Sequence, residues 1–261
     1  MNITFDEYIS NPMGRKNAVF SGREMFRTMY REKLDAILVR EVGKVKYKLF
    51  TSNNGKYYVH FKIPSEPIKE FYYDTVIEFY TDQHGVEISS NLKKYYVKFY
   101  SNDPSFVFTF AHAMKANDML IKDLEPKMSK QALKNIAEEK NPKDEVGYVK
   151  SIFFAYLLMQ QYNLFDKSMF KLYGEKYSKS KLLDDVEHAD KKIEDRIEEG
   201  NKLSKDKKVQ KQKERRQKEL ERRKVNPINI DPISSVSKTN NVSHVNKAQS
   251  KVKKIKKVKK I

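Results

Sequence analysis

Two clusters of basic side chains carry the clearest chemistry in this 261-residue chain. The first cluster follows a helical pattern and comprises Lys207, Lys208, Lys211, Lys213, Arg215, Arg216, Lys218, Arg222, Arg223 and Lys224. The second cluster repeats Val/Ile-Lys-Lys and comprises Lys251, Lys253, Lys254, Lys256, Lys257, Lys259 and Lys260. Because an ammonium that meets a phosphate releases condensed counterions, both clusters are predicted to bind a polyanion, with nucleic acid as the natural one.

The positive charge of the whole chain is concentrated in the same region. Residues 200–261 contain 21 Lys or Arg and 5 Asp or Glu, for a net charge of +16, whereas residues 1–199 carry a net charge of only +2. Such an asymmetry is typical of an interaction arm attached to a folded body. Residues 178–261 contain no aromatic side chain, so the arm is not expected to stack on single-stranded bases.

One series of carboxylates in the body could support catalysis. Asp74, Glu78 and Asp82 recur every four residues, with His84 nearby, so on a strand they share one face and could hold a metal for nuclease chemistry. The simpler interpretation is that they are solvent-facing residues opposite an apolar row. The chain has no Cys, no Gly-rich phosphate loop and no HExxH motif. We therefore expect a protein that is not an enzyme, with no catalytic residue, no metal site and no cofactor.

Three tyrosines of the body are candidates for contact with a partner. Tyr58, Tyr96 and Tyr100 alternate with apolar residues and are predicted to be exposed on the sheet face opposite the core. They could stack on bases, or this face could pack against another protein.

The body that carries these residues is predicted to be α+β. Ser21 and Glu24 have capping-box spacing and begin an N-terminal helix that continues to Leu38. Alternating apolar residues from Val45 to Phe110, with an Asn54-Gly55 turn between the first two strands, predict an antiparallel β meander. From Ala111 onward the apolar spacing becomes helical and predicts a helical segment.

These patterns divide the chain into five parts. We expect an irregular N-terminal arm over 1–20, a globular α+β domain over 21–177, a long charged helix over 178–224, a disordered linker over 225–250 and a lysine-rich, disordered basic tail over 251–261. The charged helix carries a thin apolar stripe from Leu182 to Ile197, so it could form a coiled coil or act as a single spacer.

The segment Asn-Pro-Met-Gly-Arg-Lys-Asn-Ala-Val-Phe at 11–20, the capped helix and the Tyr/Phe/Lys-rich meander resemble small virion or accessory proteins of tailed bacteriophages with AT-rich genomes. The resemblance covers residues 11–180 and lies in overall composition, so no functional residue is carried over from it. It implies an assembly component near packaged DNA, located in the host cytoplasm and in the virion.

The resulting hypothesis is a non-enzymatic structural or DNA-associated protein whose arm binds nucleic acid phosphates without sequence specificity. Other protein subunits are expected partners, and a membrane is not, because the apolar residues of the tail are three apart and form a poor amphipathic stripe. Two alternatives remain open. One is a metal-dependent, nuclease-like enzyme or regulator that the arm tethers to its substrate, and the other is an RNA-binding protein.

Overall fold

The computed structural model describes residues 2–10, 31–36, 45–65, 68–82, 88–147 and 149–225. The chain divides into two units, Met1–Val209 and Gln210–Ile261. The α+β class predicted from the sequence is confirmed.

A five-stranded mixed sheet forms the centre of the first unit. The strands are β1 (Lys46–Thr51), β2 (Tyr57–Pro64), β3 (Tyr72–Tyr80), β4 (Tyr96–Ser101) and β5 (Glu175–Lys176), in the order β4-β3-β2-β1-β5. The first four strands pair antiparallel, as the predicted meander requires, whereas β5 pairs parallel with β1. The predicted hairpin is present, with Gly55 at φ 78° donating its N–H to the carbonyl of Ser52. Glycine accepts this positive φ without steric cost.

Nine helical segments accompany the sheet in the described residues. They are α1 (Phe5–Ser10), α2 (31–36), α3 (Pro104–Val107), α4 (Ala111–Ala116), α5 (Lys130–Lys134), α6 (Lys150–Gln161), α7 (Lys167–Tyr173), α8 (Lys179–Asp185) and α9 (Ala189–Val225). Two 3₁₀ turns cover Leu92–Lys94 and Lys122–Lys127.

One face of the sheet, which we call the core face, packs against α1 and α6. Successive side chains of a strand point to opposite faces, and the core face carries the odd-numbered residues of β1 to β4. Phe5 of α1 contacts Phe79 with ring centroids 5.6 Å apart, and Tyr8 stacks on Phe99 at 4.3 Å. These contacts bury the apolar half of the meander.

The other face, which we call the second face, is covered as well. Tyr177 stacks on Tyr58 at 4.2 Å, and the Tyr100 hydroxyl donates to the carbonyls of Lys127 and Glu187 at 3.1 and 3.2 Å. The prediction that Tyr58 and Tyr100 are exposed is therefore wrong, because both side chains are buried under segments from later in the chain. The third tyrosine, Tyr96, stays partly exposed.

The sequence pattern also predicts that the meander continues through Phe106 and Phe110, and this is wrong. Asp103 accepts a hydrogen bond from the N–H of Ser105 at 2.9 Å and caps α3 instead. Pro104 occupies the first helical position, where its missing N–H has no cost. A local cap therefore overrides the alternating pattern.

The structure differs from the predicted irregular N-terminal arm at Phe5–Ser10, which form α1. Thr4 and Glu7 make a capping box, because the Thr4 N–H donates to Glu7 Oε2 at 2.9 Å and the Glu7 N–H donates to Thr4 Oγ1 at 3.3 Å. The hydrogen bond from the Thr4 backbone N–H, and after it the one from the Thr4 side chain, lower the pKa of Glu7. The helix then inserts Phe5 and Tyr8 into the core.

A long C-terminal helix is present, as predicted, but it is preceded by a break. The helix α8 ends at Asp185, and α9 begins at Ala189 after a short segment in which Val186 is buried. The predicted helical residues 21–30 and 37–38, the linker from residue 226 and the tail over 251–261 lie outside the described residues.

Candidate nucleic-acid interface

The central part of α9 presents a dense set of exposed basic side chains. Every residue over 201–218 is exposed. Nine of these residues are Lys or Arg and two are Asp or Glu, which gives a net charge of +7 over 18 residues. By contrast, residues 189–200 of the same helix contain three basic and five acidic residues.

The basic side chains over 205–218 form no ion pair with any residue that the structure describes. The nearest paired cation on this helix is Lys202, whose Nζ donates to Glu199 Oε1 at 2.7 Å. That hydrogen bond raises the pKa of Lys202. From Lys205 to Lys218, no acidic side chain of the described residues is close enough to neutralise the positive charge.

The basic residues are distributed broadly around the helix. Successive residues of an α-helix are about 100° apart, so the nine cations over 201–218 cover about two thirds of the circumference. Asp206 and Glu214 both lie in the remaining third. A wide cationic surface of this kind suits phosphates, which carry charge but no sequence information.

The structure places the first predicted cluster on one helix. Six of its predicted contact residues have exposed side chains on α9, namely Lys207, Lys208, Lys211, Lys213, Arg215 and Arg216. Arg222 and Arg223 belong to the same helix, but their side chains are not among those described. The lysines of the second cluster, from Lys251 to Lys260, lie outside the described residues.

The carboxylate of Asp74 is held in a buried network rather than in an open site. Its Oδ1 lies 2.8 Å from His60 Nε2 and accepts from Lys62 Nζ at 3.2 Å, and its Oδ2 accepts from Asn102 Nδ2 and from the Glu187 N–H, each at 3.0 Å. Because an ionised carboxylate only accepts, the Nε2–H of His60 is the donor in this contact. The four donors satisfy the buried charge.

Burial raises the pKa of Asp74, but the hydrogen bonds and charges of His60, Lys62 and Glu187 outweigh it and lower the net pKa to about 2. The residue is thus ionised at neutral pH, and its charge is fully engaged inside the protein.

The other two carboxylates of the series have separate partners. Glu78 is buried and accepts from Lys56 Nζ at 2.7 Å, whereas the exposed Asp82 accepts from Asn2 Nδ2 at 2.6 Å. The interpretation of Asp74 and Glu78 as solvent-facing is wrong, because the second face is covered. Within the described ranges, no group of three His, Asp or Glu side chains is placed to hold a metal ion.

Sequence reasoning missed His60 and Asn102 as partners of Asp74. His60 lies two residues before Lys62, which is directly opposite Asp74 in the pairing of β2 with β3. The alternation of β2 therefore gave a signal that these residues share a face, but the contribution of Glu187, 113 residues away, had no local signal.

Among the residues described, no helix is both long enough and apolar enough to cross a bilayer. No known protein family matches the chain, and no curated protein and no solved structure is significantly similar to it.

Proposed function

We propose that this chain is a structural, nucleic-acid-associated protein without enzymatic activity, whose basic C-terminal region binds the phosphate backbone of DNA without reading its sequence. The observation that carries the proposal is the exposed surface of α9 over 205–218, where the cations have no described ionic partner. Binding of this kind is driven by counterion release and is steeply dependent on salt.

The body supports a structural role more than a catalytic one. Each of the three carboxylates considered for a metal site accepts a hydrogen bond from another side chain, and Asp74 and Glu78 are also buried. With the resemblance to small phage virion proteins, this favours a component assembled near packaged DNA. Sedimentation of the protein with assembled particles rather than with free nucleic acid would support that placement.

The direct test measures binding of the full chain to a random-sequence DNA duplex at several salt concentrations. The test variant replaces six cations of α9 with Gln, namely Lys207, Lys208, Lys211, Lys213, Arg215 and Arg216. If all six contact phosphates, the slope of log K against log salt becomes less negative by about 5.

The matched control removes the same amount of charge from exposed positions of the body. It replaces Lys69, Lys130, Lys134, Lys143, Lys171 and Lys176 with Gln. The control is expected to retain the wild-type slope, because location rather than net charge decides the contact. An equal change of the salt slope in both variants would contradict the proposal. If RNA competes for the protein better than duplex DNA at a fixed salt concentration, the RNA-binding alternative is favoured.

A further inference from the structure

The end of α7 carries an exposed apolar pair. Leu172 and Tyr173 are 71% and 67% exposed, which makes them the most exposed large hydrophobic side chains in the described part of the chain. They are the last two residues of the helix, so their side chains leave the chain near its end, although in different directions. Two large apolar side chains with this exposure at one end of an element are candidates for contact with a partner.

This pair lies next to an incompletely covered edge of the sheet. Through Gly174, α7 leads directly into β5, and α7 packs beside β1. The strand β5 covers the outer edge of β1 only at Phe50 and Thr51. In the described residues, Lys46–Leu49 have no strand partner on that side. Such an edge presents unpaired N–H and C=O groups to an added strand.

The two faces of the open edge differ in chemistry. On the core face, Tyr47 is 37% exposed and packs on Tyr162 with ring centroids 5.3 Å apart. On the second face lie Lys46 and Lys48, and Lys48 Nζ is paired with Asp185 at 2.6 Å. An added strand therefore meets apolar groups on one side and ammonium groups on the other.

Among the described residues, Lys46 has no partner of opposite charge. It forms no ion pair with any described residue, and it stands directly opposite Lys62 in the register of β1 with β2. Like charges directly opposite one another destabilise a sheet. The Lys62 ammonium lies 3.2 Å from Asp74, whose charge already receives three other donors. A carboxylate beside Lys46 would relieve this repulsion.

A second copy of the chain does not fit the edge. Two β1 strands related by a two-fold axis perpendicular to the sheet would place residues of the same face opposite one another, so lysine would oppose lysine. We propose instead that the edge of β1 binds an extended segment of another protein in which acidic and apolar residues alternate. The backbone of that segment supplies the hydrogen bonds and its alternate side chains supply specificity.

The test uses a synthetic octapeptide of alternating Glu and Val, titrated into the full chain and followed by fluorescence anisotropy. Replacing both Leu172 and Tyr173 with Ser is expected to weaken binding about tenfold, because their exposed apolar area is lost to the complex. The matched control replaces Phe108 and Ile136 with Ser. These two side chains are also exposed and line a different groove, so the control should bind the peptide as the wild type does.

A charge exchange tests the acidic side of the partner. The Lys46→Glu variant is expected to bind the Glu/Val peptide more weakly than the wild type does. It should instead bind a peptide in which Lys and Val alternate. Bound peptide should also slow hydrogen exchange at the amides of Tyr47 and Leu49, whose backbone groups face the same edge as the Thr51 carbonyl that Tyr177 bonds, and a merely electrostatic contact would not do so.

Failure of the Glu/Val peptide to bind the wild-type chain would overturn the inference. So would a Lys46→Glu variant that loses affinity for DNA while peptide binding is unchanged, because Lys46 would then belong to a nucleic-acid surface. The inference does not depend on the proposed DNA binding by α9, and the Gln variant of that helix should bind the peptide normally.

Discussion

Asp74 has a different role in the structure from the one that its sequence pattern suggests. In the sequence it belongs to a regular series of carboxylates that could bind a metal. In the structure it is buried, and its two oxygens receive four hydrogen bonds from His60, Lys62, Asn102 and the N–H of Glu187. Through Glu187 it ties the segment between α8 and α9 to the sheet, and its charge is paired as a buried charge must be.

The substitution Asp74→Asn is expected to lower the free energy of unfolding at neutral pH by about 3 kcal/mol, because it leaves Lys62 and His60 without their anion. Urea unfolding monitored by circular dichroism measures this change. Asp82→Asn on the same series is the control and should cost less than about 0.5 kcal/mol, because Asp82 is exposed. Equal effects of the two substitutions would show that the network does not stabilise the fold.

The same residue predicts a dependence on pH. Its folded pKa of about 2 lies below the ordinary value of 3.8, so its contribution is fully present above about pH 4 and is lost as the pH falls through about 2. The stability difference between the wild type and Asp74→Asn should therefore narrow on acidification from pH 5 to about pH 2. A stability difference that stays constant from pH 5 to about pH 2 would contradict the lowered pKa of Asp74.

At the scale of elements, the decisive feature is the covering of the second face by residues that follow α7. Tyr177 stacks on Tyr58 with an interplanar angle of 11°, and its hydroxyl donates to Asp123 Oδ2 at 2.6 Å. Burial is the main reason that the pKa of both tyrosines is raised. This contact ties β5 and α8 to the 3₁₀ turn at Lys122–Lys127.

Tyr177→Ala is expected to lower the free energy of unfolding by about 2 kcal/mol, because it removes the stacked ring. Tyr177→Phe keeps the ring and loses only the hydrogen bond, so its cost should be about 1 kcal/mol. Chemical denaturation of both variants separates the contribution of the stacked ring from that of the hydrogen bond. Tyr173→Ala serves as the control with little expected effect, and a Phe variant as unstable as the Ala variant would mean that stacking contributes nothing.

At the scale of the whole molecule, charge is segregated along the chain. Residues 1–199 are nearly neutral, with 32 basic and 30 acidic residues, whereas the remaining residues carry +16. Net charge and its distribution govern association with polyanions and not the fold itself. Folding and nucleic-acid binding are thus expected to depend on different parts of the sequence.

Removal of residues 226–261 tests this separation. The shortened chain loses nine lysines, seven of them in the second cluster, so the salt slope of DNA binding should become less negative by up to about 8. Its urea unfolding transition should match that of the full chain, because the core lies entirely within the first unit. Loss of the urea unfolding transition, or an unchanged salt slope of DNA binding, would show that folding and nucleic-acid binding do not depend on different parts of the chain.

Much of this protein could be read from its sequence. The alternation in β1 to β4, the Asn54-Gly55 turn and the helical spacing after Ala111 specify the α+β class, because local periodicity encodes which residues share a face. The composition of α9 likewise specifies an exposed basic helix. The capping box of Thr4 and Glu7 was equally readable, yet only the burial of Phe5 shows that α1 belongs to the core.

The tertiary structure alone decided what covers the second face and what the candidate carboxylates do. Periodicity assigns Tyr58, Asp74 and Tyr100 to one face, but it cannot say whether water, a partner or a later segment lies against them. That outcome depends on contacts over long sequence separations, such as the 113 residues between Asp74 and Glu187. Local pattern therefore determined the first four strands and the distribution of charge, and long-range packing determined which polar groups became structural.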